Sequence, residues 1–95
     1  MTMRHPITAL ALATSLVLAA CGGKSDAEQL ADARAAVDKQ DHRSAVIVLK
    51  SLLQKDGKLG EARYLLGRAL FEQGDVAAAA VELGKAADLG FDAAK

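Results

Sequence analysis

Two arginines, Arg34 and Arg68, stand 34 residues apart, and each is followed four positions later by a carboxylate, Asp38 and Glu72. A guanidinium is a planar fork of donors that holds a carboxylate through two parallel hydrogen bonds. Two such groups in line can grip a carboxylate of a peptide or an acidic polymer. At a spacing of four on a helix, the same arginines can instead close on their own carboxylates, for a small gain. Both readings are open from the residues alone.

Other chemistry is sparse. The single cysteine, Cys21, excludes an internal disulfide and a multi-cysteine metal site. His42 follows Asp41 in the first turn of a helix and reads as a solvated surface residue. One histidine without clustered partners cannot build a metal site. "CGGK" lacks the spacing and the serine or threonine of a phosphate-binding loop. The carboxylates are scattered over turns and exposed helix positions. No catalytic constellation and no cofactor are expected, so binding is the better class.

The elements that would carry these residues follow from composition and period. The chain has 95 residues, one small domain at most, with 12 basic and 12 acidic side chains. That balance gives no field steering it toward nucleic acid. Alanine and leucine dominate and only three side chains are aromatic, which suits packed helices better than a sheet.

Ala62, Leu65, Leu66, Ala69 and Leu70 form a stripe at steps of three and four. In "QGD" Gly74 can take the left-handed conformation that ends a helix, and Asp75 can cap the next. Val76, Ala79, Ala80, Leu83, Ala86 and Ala87 then share one side until Leu89 and Gly90 close that helix. A shift of 34 residues superposes Asp41 on Asp75, Ala45 on Ala79, Leu49 on Leu83, Leu52 on Ala86 and Ala33 on Gly67. A mid-helix glycine costs about 1 kcal/mol relative to alanine. Small residues at one register therefore predict a close crossing of two helices in each half.

The amino terminus has a different character. Arg4 and His5 precede "ITALALATSLVLAA", 14 residues without charge, and a spanning helix needs about 20. This describes a secretory signal. "LAAC", Leu18 to Cys21, resembles the bacterial lipoprotein signal: an aliphatic residue, two small ones and cysteine. The resemblance implies cleavage after residue 20, a diacylglyceryl group on the Cys21 thiol and acylation of the new amino terminus, a stable membrane anchor. An ordinary signal with an incidental cysteine is the alternative. Gly22 stands where an aspartate would hold the family's members in the inner membrane. Resemblance thus points to the periplasmic face of the outer membrane of a Gram-negative bacterium. Residues 21–25 are then expected to be the lipidated cysteine and a flexible tether.

"LLGRALFEQGD…AAAAVELGKA" is similar to the tetratricopeptide repeat family in its Leu66-Gly67 pair, Leu70, the Gly74-Asp75 turn, Ala79, Leu83 and Ala86. The fold implied is all-α: two tetratricopeptide-type helix–turn–helix repeats, a short α-solenoid. The first repeat, 26–59, is degenerate, and the second, 60–93, is the better match. The family's early tryptophan is Gln29 in one repeat and Arg63 in the other, and its late proline is Gly57 or Phe91. An unrelated alanine-rich helical bundle is the competing expectation. "GEARYLLG" and "KAADLG" further resemble the start of tetratricopeptide lipoproteins associated with the exosortase (PEP-CTERM) sorting system.

In that family the groove is lined by the first helix of each repeat. Carried over, this implies Leu30, Arg34, Val37 and Asp38 in one repeat, and Tyr64, Arg68, Phe71 and Glu72 in the other. Tyr64 and Phe71 share a face and read equally as a partner contact or as packing. The expected function is a membrane-anchored scaffold for a protein or peptide partner, in exopolysaccharide production or PEP-CTERM protein sorting. The alternative is a structural subunit of an envelope assembly or secretion complex. Repeats of this kind bury each face on the next, and three are normally needed. Two predict a truncated array, a marginal monomer, or self-association through the exposed face of the C-terminal helix.

Overall fold

The computed structural model describes residues 23–95. The expected signal, residues 1–20, and the lipid-attachment residue Cys21 lie outside the described residues. Four helices follow in order: α1 (Asp26–Asp38), α2 (His42–Lys55), α3 (Gly60–Glu72) and α4 (Val76–Asp88). Among the described residues there is no strand, and no helix is long and apolar enough to cross a membrane. The all-α expectation holds.

Three of the four helices start on a side-chain cap, and α3, which follows Leu59, has none. Ser25 accepts from the Glu28 amide at 3.2 Å, and the Glu28 carboxylate accepts from the Ser25 amide, a reciprocal cap that fixes the start of α1. Asp41 accepts from the Ser44 amide and Asp75 from the Ala78 amide, both at 3.3 Å. The two caps also share backbone angles, φ −89° with ψ 69° at Asp41 and φ −89° with ψ 73° at Asp75.

The turns before them are copies of one another. The Lys39, Gln40 and Asp41 amides donate to the carbonyls of Ala35, Val37 and Ala36; those of Gln73, Gly74 and Asp75 donate to Ala69, Phe71 and Leu70. Gly74 takes φ +89° and its counterpart Gln40 takes +63°. The recurrence read from residue types is therefore also a recurrence of backbone geometry, hydrogen bond for hydrogen bond.

Helices pack as neighbours: α1 on α2, α2 on α3, α3 on α4, with α1 also touching α3. The core is the predicted stripe of α3, together with Ala33 and Val37 of α1, Ala45, Leu49 and Leu52 of α2, and Ala79 of α4. Gly67 of α3 faces Leu83 and Ala79 of α4 across a close contact. A Cβ placed there would lie 2.6 Å from Leu83 Cγ and 3.3 Å from the Ala79 carbonyl oxygen. The glycine is retained because a methyl group has no room, and the packing gained offsets its helix-propensity cost.

On α4 the expected apolar side is only partly buried. Ala79 and Ala86 are covered and Leu83 is half-buried, but Val76, Ala80 and Ala87 are exposed. His42 departs from the surface reading: it is half-buried, and its Nδ1 is enclosed with no hydrogen-bond partner among the described residues.

Candidate functional site

The two helices that expose the candidate residues, α1 and α3, lie against one another. Arg34, Asp38, Glu61, Tyr64 and Arg68 line a cleft of about 250 Å³ between them. Tyr64, Arg68, Phe71, Glu72 and Leu83 line a second cleft of about 370 Å³. Six of the eight predicted residues thus gather around two openings that share Tyr64 and Arg68.

The other two do not. Val37 is 4 % exposed and belongs to the core, and Leu30 packs half-buried against it. Their places on α1 match those of Phe71 and Tyr64, yet α3 lies on the first hairpin and withdraws them from solvent. Phe71 is 56 % exposed.

Neither intrahelical ion pair forms among the described residues. Arg34 reaches instead across to α3, where its Nη2 donates to Glu61 Oε1 at 2.8 Å and its Nε donates to Glu61 Oε2. This forked contact holds the Glu61 carboxyl below the usual carboxylate range; burial of Glu61 opposes it only in part. Arg68 has no carboxylate partner among the described residues. Its guanidinium lies over the Tyr64 ring, 5.9 Å from the centroid, within the range of a cation–π contact. The expected pair of ligand-gripping arginines is therefore one occupied group and one open group.

Three site residues escape a reading of residue types. Glu61 belongs to no binding motif, yet it closes the Arg34 fork. Leu83 belongs to the α4 stripe but also walls the second cleft. Phe91, past the end of α4, folds back so that its ring lies 5.2 Å from that of Tyr64, tilted by 36°. The departures from the tetratricopeptide pattern have a structural outcome as well. Arg63 donates to Glu82 Oε1 at 2.8 Å and to the Gly57 carbonyl at 3.2 Å, fastening α3 to α4 and to the preceding connection. Gln29 accepts from Lys55 Nζ at 3.1 Å, fastening α1 to the end of α2. Both places expected to hold tryptophan hold polar ties.

The second cleft sets Arg68, without a carboxylate partner among the described residues, beside the Tyr64 ring, exposed Phe71 and half-buried Leu83, a combination suited to a carboxylate flanked by apolar side chains. No protein family, curated protein or solved structure matches this chain.

Proposed function

We propose that the chain is a lipid-anchored tetratricopeptide lipoprotein that serves as a protein-interaction scaffold, held through acylated Cys21 at the periplasmic face of the outer membrane. The likeness of "GEARYLLG" and "KAADLG" to the exosortase-associated lipoproteins draws the proposal toward exopolysaccharide production or PEP-CTERM protein sorting. The observation that carries the binding role is Arg68 over Tyr64 beside exposed Phe71, on a hairpin that repeats its predecessor. Salt-sensitive, reversible capture of a partner is the behaviour such a site supports.

A second reading, a permanently packed subunit of an envelope assembly complex, draws on Ile47 and Val81. They hold equivalent places on α2 and α4 and are 64 % and 55 % exposed. Photo-crosslinking in cells from position 71, with and without Cys21→Ser, tests the proposal. A crosslinked protein partner lost on Arg68→Glu, with the chain leaving the membrane fraction on Cys21→Ser, is the expected result. A crosslink indifferent to salt and to Arg68→Glu favours the subunit. A chain that stays in the membrane fraction after Cys21→Ser rules out the anchor.

A further inference from the structure

The two hairpins share one architecture but differ in what lies on them. α3 packs on both α1 and α2, and no described helix packs in the same way on α3 and α4. The shift of 34 residues pairs Val37 with Phe71, Leu49 with Leu83 and Leu53 with Ala87. Val37 and Leu49 are 4 % and 0 % exposed, whereas Phe71 is 56 % exposed and Leu83 half-buried. The second cleft meets another of about 470 Å³ that runs along Leu83, Ala86, Ala87 and Phe91, and both openings share Tyr64 and Leu83. Together they form a trough in the place that α3 fills on the first hairpin. Electrostatics repeats the pattern. Arg34 is paired by Glu61 from the helix above it, and Arg68, in the same register, has no such carboxylate among the described residues.

We propose that this trough takes an amphipathic helix of a partner protein, seated on α3 and α4 as α3 sits on α1 and α2. The ligand helix carries a glutamate in its first turn, to meet Arg68, and small and leucine side chains with the spacing of Ala62, Leu65, Leu66, Ala69 and Leu70. A second copy of this chain fits poorly. Seated through α1, the counterpart of α3 in the first hairpin, it would place Glu28 and Asp32 where α3 places Ala62 and Leu66, both buried. Burying two unpaired carboxylates opposes that assembly strongly. The inference rests on the binding role proposed above and adds the form of the ligand: a helix, not an extended peptide.

The test uses the full chain in mild detergent and a fluorescent synthetic peptide of residues 59–73, "LGEARYLLGRALFEQ", as the probe helix. Saturable binding is expected. Phe71→Asp or Ala87→Asp in the chain should weaken it at least tenfold, and both positions are exposed, so circular dichroism should remain helical. Arg68→Glu should weaken it about threefold to fivefold, with recovery on a Glu61→Arg peptide, the size of one exposed charge pair. A Leu66→Asp peptide should not bind. Absence of saturable binding, or binding indifferent to Phe71→Asp and Ala87→Asp, overturns the proposal. So does a chain that sediments as a dimer and returns to monomer on Phe71→Asp. If the peptide fails while the crosslink from position 71 persists, the helix is wrong and the binding role stands.

Discussion

Arg34 and Glu61, 27 residues apart in the chain, form a forked ion pair that ties the first helix of one hairpin to the first helix of the next. It is the polar counterpart of the apolar stacking between α1 and α3. Other ion pairs hold helices within a hairpin, as Lys55 does with Asp26 at 2.9 Å and Arg63 with Glu82 at 2.8 Å.

The Arg34 contact predicts how stability depends on pH. The Glu61 carboxyl titrates lower in the folded chain than in the unfolded one, because Arg34 donates to its charged form. Its contribution is therefore complete above the unfolded value, about 4.3, and is lost as pH falls through the lowered folded value. Glu61→Gln should lower the melting temperature at pH 7, and the gap to the parent chain should narrow as the pH is taken down through the acid range. A gap of constant size across that range would mean that the charge of Glu61 contributes nothing.

Two glycines inside helices should respond oppositely to the same change. Gly84 lies exposed in α4 with open space around it, so Gly84→Ala should raise stability by about 1 kcal/mol through helix propensity. At Gly67 a methyl group meets Leu83 and the Ala79 carbonyl. Overpacking costs about 1–3 kcal/mol, so Gly67→Ala should be destabilised by about 1 kcal/mol net of the propensity gain. Urea unfolding of the two variants measures this, and equal stabilisation of both would remove the close crossing as the reason for Gly67.

The paired turns make a third prediction. Gln40 occupies a left-handed conformation that its counterpart fills with Gly74. A side chain there costs about 1 kcal/mol. Gln40→Gly should stabilise the chain by about 0.5–1 kcal/mol, and Gly74→Ala should destabilise it by a similar amount. The same thermal or urea titration decides both, and a loss of stability in Gln40→Gly would contradict the assigned turn geometry.

What the sequence made legible is what depends on one helix and its ends. The stripe of α3 is buried as its spacing requires, Asp75 caps as its place after Gly74 requires, and the 34-residue recurrence survives in the turns. What it concealed depends on how two helices sit together. Asp38 is four residues from Arg34 and Glu61 is 27, yet the stagger of α1 against α3 gives the guanidinium to Glu61. Val37 reads as groove-facing until α3 is laid over it. Phe91 lies beyond the last periodic residue, so no helical spacing could have brought it to Tyr64.

The order of packing has a kinetic side. α4 touches α3 but neither α1 nor α2, so the helices stack in series. α3 alone is flanked on three sides, and six of its residues are buried. Linear stacks of this kind open from their ends inward, one helix at a time. Amide protons should therefore exchange last in α3, earlier in α1 and α4, and any ligand that lies across α3 and α4 would slow the loss from one end only.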